Sequence, residues 1–573
     1  MSKNNVIVLG IHHGHDSGAA IVQNGKVLAA INEERIRNIK HYAGIPSKSI
    51  SEVIKISKID PSQIDLISIV GILNVEKNPN QIYPINAHLY FNWNPITVHK
   101  QGAKCFVAYN ERFRKLTEIK KELSQIGISS KQILFVDHHM AHAASAYYLS
   151  PWDLSEEVLI FTADAAGDGL SSTVNLGRKG RIERLENSES LYYDSLGYCF
   201  YDEITSFLGM RPNDHAYKVM GLAPYGDPNK CIDKIKTMID IDKQNNLKFK
   251  NKLNNFHPFI HEQLKDLLDH QRFDHIAAGA QTWFEHLITN WIKNGIEKTG
   301  IHKIVCAGGN FLNVKANKKI LEIDDVYDSF FCPASGDEGL AVGSALMGYF
   351  ELSFIDGNIP TKIPLKDVYL GSSFSNDSIK DVIGKNELSD KTEFYDNIDE
   401  EVGELLTNSD LVIARFSDKM EWGPRGLGNR SILANPSNHK IIRKINNAIK
   451  MRDFWMPFGP SILSSRMDDY LENPRPAHYM IQAFDTTPHR DNLIAAIHPH
   501  DFTCRPQTVF EEYNPKYHKL LATFESKTGI GGILNTSFNL HGFPIVFDPQ
   551  TAIETFKNSK LDMLAIGNYL IKK

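Results

Sequence analysis

The chain lacks several features that would fix its class at once. Its six cysteines, Cys105, Cys199, Cys231, Cys306, Cys332 and Cys504, are scattered and form no CxxC pair. That excludes a disulfide framework or a zinc ribbon and fits reduced thiols. No run reaches the roughly 18 apolar residues of a membrane-spanning helix, and the opening MSKNNVIVLG holds too short an apolar run for a signal peptide. The expectation is a cytoplasmic protein. Positive charge is not in excess: the net charge is -5, which disfavours a nucleic-acid partner gripped along a basic stripe. HExxH, the peptidase signature with its glutamate base, is absent, so a metallopeptidase is disfavoured.

What is present is an ordinary globular composition, 42% hydrophobic and 23% charged over 573 residues, enough for two large domains. The first forty residues read as strand (VIVLGI), polar turn (HHGHDSG), strand (AAIVQ), an Asn24-Gly25 hairpin turn, then a third strand (KVLAAINEER). From Val158 the order returns: VLIFTADA, the turn AGDG, LSSTVNLG, RKG, RIERLE. The repeated order predicts two related halves, each with a small acidic turn after its first strand. Glycine there lets the backbone approach a phosphate, and successive N–H groups can line an anion site. Further on, Ile304–Cys306 reads as a strand leading into Gly308-Gly309 and a helix, a common approach to a nucleotide. Residues 357–385 read as loop and mark the expected boundary between a domain at 1–355 and a second at 365–573.

FVDHHMAHAASAYY puts three histidines within five residues. A helix opening at Asp137 or His138 places His138 and His142 at i and i+4 on one face, with His139 turned elsewhere. For the pair alone, a helix cap and surface residues is the simpler reading. Asp164 and Asp337, each expected after a short strand at a glycine turn, change that. Two His and two Asp with open positions suit Fe²⁺ or Mn²⁺. In the second domain, KMEWGPRGLGNRS carries Arg425 and Arg430, joined by Lys450, Arg452 and Arg505, and by a polar NTS turn (Asn535, Thr536, Ser537, with Asn539) expected between two strands. Arginine forks bind phosphates bidentately, so this set predicts a polyanion site.

The motifs GHDSGAAIV, NEER, DHHMAHAASA, YKVMGLAPYG, AGGNFLNVKAN, PASGDEGLAVGSAL, MEWGPRGLGNRSILANP, RPQT and LNTSFN, in this order, resemble the NodU/CmcH family of carbamoyltransferases along nearly the whole chain. The resemblance implies an α/β protein: a duplicated actin-like ATPase (ASKHA) domain followed by a YrdC-like domain. It implies that ATP and carbamoyl phosphate form carbamoyl-adenylate in the second domain, and that the first transfers the carbamoyl group to a hydroxyl of a small acceptor. Carried over by motif, His138, His142, Asp164 and Asp337 would hold a divalent metal, Fe²⁺ first, with Mn²⁺ or Mg²⁺ as alternatives. His15 would position or deprotonate the acceptor hydroxyl. Gly308, Gly309, Asn310, Asn313 and Asn317 would bind the adenylate. Lys419, Arg425, Arg430, Lys450, Arg452, Arg505, Asn535 and Ser537 would bind carbamoyl phosphate and ATP, with Arg425 and Arg430 catalytic. The chain departs from the family pattern at Ala216, Lys419, Met456 and Phe543. Carbamoyl or threonylcarbamoyl transfer to tRNA, and a non-catalytic nucleotide-binding module, are the alternative readings. The aromatic-rich segments Asn74 to Ala103 and Tyr192 to Lys218 are expected to line the acceptor pocket, and a two-fold homodimer is the default assembly.

Overall fold

A computed structural model describes residues 5–71, 117–128, 132–255 and 259–573. The segment Asn74 to Ala103, one of the two expected to line an acceptor pocket, lies outside them. The described residues form three principal sheets. The first contains β1 (Ile7–His12), β2 (Gly18–Gln23), β3 (Lys26–Asn32), β4 (Leu66–Val70) and β5 (Gln132–Val136), ordered β3-β2-β1-β4-β5. β1, β2 and β3 pair antiparallel, whereas β4 and β5 run parallel to β1.

The second sheet repeats this path. Its strands include β6 (Val158–Gly167), β7 (Leu170–Arg178), β8 (Arg181–Arg184) and the short β9 (Ser190–Leu191). A separate two-stranded ribbon, β10 (Ile239–Ile241) and β11 (Phe249–Asn251), follows; β12 (Lys303–Ala307) and β13 (Asp328–Phe331) then complete the sheet. The order β8-β7-β6-β12-β13 matches the first sheet strand for strand, and so do the directions. The two halves expected from the repeated strand order are therefore duplicates in topology, the arrangement of the actin-like ATPase fold.

The third sheet is mixed. It contains β14 (Thr392–Phe394), β15 (Val412–Phe416), β16 (Arg430–Ala434), β17 (Gly459–Leu463), β18 (Gln507–Val509), β19 (Gly532–Ser537), β20 (Met563–Ile566) and β21 (Tyr569–Lys572), ordered β14-β21-β20-β15-β16-β19-β17-β18.

Two helices fix the first domain's geometry. His138–Leu149 begins directly after β5, and Leu340–Ile355 crosses it. Small residues let them touch: a Cβ on Gly343 would lie 1.9 Å from the Ala141 carbonyl oxygen, and one on Gly10 would lie 2.0 Å from that of Ala341. Such approaches leave no room for a side chain. They draw the start of the second helix, and with it Asp337, onto the start of the first.

Three local expectations are corrected. β6 continues through Gly167, so Asp164 stands inside the strand, where its pairing with β7 is interrupted between Ala163 and Gly167; a bulge turns the side chain. Asn535, Thr536 and Ser537 end β19 as strand residues paired with β16, and no strand follows at Phe543–Val546. The linker holds a helix, Asn376–Lys385, whose Ile379 and Ile383 are buried at three-to-four spacing under the third sheet.

The domains share a core. Trp422, Leu427 and Met480 pack with Ala334, Ala341 and Val342. Polar contacts cross the same boundary: Asn317 Nδ2 donates to Ile481 O at 2.7 Å, His498 Nε2 lies 2.8 Å from Gly221 O, and Lys315 pairs with Asp501.

Candidate functional site

The histidine stretch becomes a helix because Asp137 caps it. Its side chain accepts from Met140 N–H at 2.9 Å, and Arg184 of β8 holds the same oxygen at 2.7 Å. Asp168, in the turn after β6, accepts from His138 N–H at 2.9 Å. The acidic turn expected to face a phosphate thus also ties down the first turn of this helix.

His138 and His142 point the same way and meet Asp164 and Asp337. His138 Nε2 lies 3.1 Å from His142 Nε2, 3.2 Å from Asp164 Oδ2 and 3.4 Å from Asp337 Oδ1; His142 Nε2 lies 3.6 Å from Asp337 Oδ1 and 3.9 Å from Asp164 Oδ2. Donors that each bind one ion at about 2.1 Å are separated by about these distances. Among the described residues, the buried Asp337 Oδ1 has no hydrogen-bond partner. The two-His, two-Asp set therefore fits a divalent ion. Burial alone would lower the His138 pKa, but Asp337 and Asp164 outweigh it and push it up to about 10; a bound cation would take over that balancing role. Gly167 makes room for the set, since a Cβ there would lie 2.1 Å from the His138 ring. His139 turns away to Thr162 Oγ1 at 2.9 Å.

The Gly308-Gly309 turn adjoins this centre. Gly309 N–H donates to Asp164 Oδ1 at 2.8 Å, and Gly308, at φ 104°, passes so close to β6 that a Cβ would lie 2.2 Å from Ala163 O. Asn310 Nδ2 is buried and has no hydrogen-bond partner among the described residues. Asn313 and Asn317 have structural work instead. Asn313 caps the helix Val314–Leu321 and bonds Gln281, while Asn317 donates to Phe311 O and Ile481 O at 2.7 Å each.

His15 does not join the metal set. Its Nδ1 lies 2.7 Å from Asp16 Oδ2 and its ring stacks on His41 at 4.9 Å. His41 in turn meets Asp16 at 2.9 Å and Asp214 at 3.3 Å, with Lys40 also on Asp214. The hydrogen bonds from Asp16 and Asp214 push His41 up to about 10. The nearer histidine is His12, at the end of β1, 3.9 Å from Asp337 Oδ2 and 2.8 Å from His15 O; burial lowers it to about 4. Sequence reasoning passed over His12, although its position closing the first strand was the available signal. It also passed over His41 and Asp214.

In the second domain the cations divide. Arg425, Lys450, Arg452 and Arg505 form one cluster. Burial lowers all four; Arg452 adds to the effect on Arg425, Lys450 and Arg505, and Arg425 adds to that on Arg505. Arg425 is brought down to about 10 even with Glu338 opposing the shift. Lys450 is buried and the three arginines are half-buried beside it, and like charges held together out of water favour an anionic ligand. Lys450 Nζ reaches Ser537 Oγ at 3.2 Å and Asn539 Oδ1 at 2.7 Å, and Arg452 reaches Thr536 Oγ1 at 3.3 Å, so the end of β19 belongs to the cluster. Arg430 does not. It is wholly buried on the face of Phe416 at 3.6 Å and donates to the carbonyls of Ser417, Asn429, Ser372 and Asp418. Asn535 Nδ2 is likewise committed to Gly426 O and Ser461 Oγ, and the Lys419 side chain is exposed, its carbonyl holding Asn429.

Glu338 follows Asp337; its charge acts against that of Arg425, and burial, with Asp16 and Asp337, pushes it up to about 7.

Comparison with known proteins agrees with both halves. A family model described as the carbamoyltransferase N-terminus matches residues 7–346, and one described as the carbamoyltransferase C-terminus matches residues 404–573. An uncharacterized protein of Methanocaldococcus jannaschii is 32% identical over 99% of this chain and 100% of its own. Nodulation protein NolNO of Sinorhizobium fredii is 30% identical over 98% of this chain and 79% of its own. Component A of the (R)-2-hydroxyglutaryl-CoA dehydratase of Acidaminococcus fermentans superposes with a TM-score of 0.32 at 15% identity, over 60% of this chain and 97% of that one.

Proposed function

Because the chain belongs to the carbamoyltransferase family, we propose that it is an ATP-dependent O-carbamoyltransferase. Carbamoyl phosphate and ATP bind at the Arg425 cluster. Water releases phosphate from carbamoyl phosphate, and a carbamate oxygen attacks the α-phosphate of ATP. Pyrophosphate leaves and carbamoyl-adenylate remains. A hydroxyl of a small natural product or sugar then attacks the carbamoyl carbon, AMP departs, and the hydroxyl proton passes to a nearby base.

Arg425, Arg452, Arg505 and Lys450 oppose the charge on the phosphates, and their burial makes each contact stronger than it would be in water. Asn310 Nδ2 and the Gly309 turn would hold the adenylate on the first domain. His138, His142, Asp164 and Asp337 would hold Fe²⁺, or Mn²⁺ or Mg²⁺, which when bound supplies a Lewis acid beside the acyl group. His15, joined through its carbonyl to His12, which lies 3.9 Å from Asp337 Oδ2, would hold the acceptor hydroxyl. The enclosed boundary between the domains would keep water from the adenylate. The observation that carries the reading is Asp164, which faces His138 Nε2 at 3.2 Å through one oxygen and accepts from the Gly309 N–H at 2.8 Å through the other.

The test is product analysis with ATP, carbamoyl phosphate and Fe²⁺ and no acceptor. Wild type and His138→Ala should release pyrophosphate, and Arg425→Ala should not. Metal-loaded wild type that gives no pyrophosphate dependent on carbamoyl phosphate would overturn the reading.

A further inference from the structure

The NEER motif, Asn32 to Arg35, lies in the first domain and holds none of the four metal ligands. Its side chains nevertheless reach the second domain's cation loop. Arg35 is buried, its Nε 3.1 Å from Glu34 Oε1, and its Nη2 donates to Gly423 O at 2.9 Å. Gly423 is two residues before Arg425 and adopts φ 102°, a conformation that favours glycine. Asn32 Nδ2 donates to Glu338 O at 3.3 Å, and Trp422 Nε1 donates to the same oxygen at 3.3 Å. Residues 422 and 423 are thus both fastened to the metal-bearing domain, one beside a metal ligand and the other through Arg35. From within the second domain, Glu421 Oε1 accepts from the N–H groups of Leu427, Asn429 and Arg430 at 2.8, 2.8 and 3.1 Å. The loop around Arg425 is therefore gripped at both ends, and one grip belongs to the other domain.

We propose that Arg35 is a positioning residue for the adenylation site: it sets the place of Arg425 through the Gly423 carbonyl, and so ties the second domain's chemistry to the state of the first. Its Nη1 is buried without a partner among the described residues, so the guanidinium is not fully taken up by the fold around it. The inference rests on the proposed adenylation at the Arg425 cluster. Displacing a reacting group by about 1 Å can cost about a hundredfold in rate, and loss of the Arg35 bond removes one of the two grips that hold Arg425 in place.

The experiment compares wild type with Arg35→Ala, Arg35→Lys and Trp422→Phe as full chains. Release of pyrophosphate is followed against carbamoyl phosphate, calorimetry measures binding of inorganic pyrophosphate, and iron content and Tm are recorded. Arg35→Ala should cut pyrophosphate release about a hundredfold and weaken pyrophosphate binding, with iron content unchanged. Added guanidinium should restore part of the rate, and Arg35→Lys should retain more than Arg35→Ala. Trp422→Phe, which keeps the ring and removes the donor, should act in the same direction. Arg35 variants with wild-type rate and affinity would overturn the proposal, as would a loss that follows Tm and is not rescued by guanidinium. A wild type that binds pyrophosphate but releases none would overturn the adenylation reading, while the binding comparison would still decide the role of Arg35.

Discussion

Gly309 N–H donates to Asp164 Oδ1 at 2.8 Å, while Asp164 Oδ2 faces His138 Nε2 at 3.2 Å. One carboxylate therefore joins the glycine turn of β12 to the metal set of the preceding helix. The Gly308-Gly309 turn and the two-His, two-Asp set are one hydrogen-bonded unit, and a change at either should be felt at both.

On the proposed reading, Gly167→Ala should empty the two-His, two-Asp set of its ion. The added Cβ would lie 2.1 Å from the His138 ring, and the ring would have to leave its place opposite Asp164. Iron bound per chain, measured on purified protein, should fall at least tenfold, by about the loss expected when a ligand's support is removed. Full iron content in this variant would show that the ring can be seated otherwise.

Arg425→Ala and Arg430→Ala should separate. Arg425→Ala should lower pyrophosphate release by about a hundredfold or more with little change in Tm, because an electrostatic contact to the reacting phosphates is lost. Arg430→Ala strips four carbonyls of a charged donor and should cost about 3 kcal/mol of stability. Denaturant melts beside the rate assay check this; a stable Arg430→Ala chain that fails only in adenylation would restore Arg430 to the site.

Asn317→Ala should destabilise the domain boundary by about 2 kcal/mol, since the carbonyls of Phe311 and Ile481 lose their donor. Asn310→Ala should leave Tm unchanged and weaken binding of AMP. Calorimetry with AMP and a thermal melt on both variants give the comparison.

Stability should fall as pH rises from about 6.5 to about 10 through His41. The hydrogen bonds from Asp16 and Asp214 push its pKa up to about 10, above the ordinary value near 6.5. A group raised on folding stabilises fully below its unfolded pKa and ceases to do so above its folded one. His41→Gln should flatten this part of the pH–stability curve; an unchanged slope would mean that the stacked pair His15–His41 does not titrate as the geometry requires.

The helix at His138 was legible because a capping Asp137 precedes it and the i, i+4 spacing puts both imidazoles on one face. The repeat of strand, acidic turn and strand foretold the doubled sheet for the same local reason: alternation and turn residues are written in adjacent positions. The cation set was legible as a composition, but its membership was not. Arg425 and Arg430 stand five apart in one glycine-rich run, and nothing local says that one faces the cluster while the other lies flat on Phe416. Asn310, Asn313 and Asn317 look alike in sequence, yet one has an unpartnered donor, one caps a helix and one bridges the domains.

The sequence by itself determined the strand and helix order, the duplication, the family, and the residue types of a two-His, two-Asp centre and a polyanion site, because these depend on neighbours along the chain. Only the tertiary structure decided that His12 borders Asp337, that Asp164 ties the Gly309 turn to His138, and that Arg35 of one domain holds Gly423 of the other. Those relations join residues as far as 388 positions apart. They are set by how closely small residues such as Gly10 and Gly343 let the helices and sheets approach, a consequence of packing in three dimensions that no local pattern records.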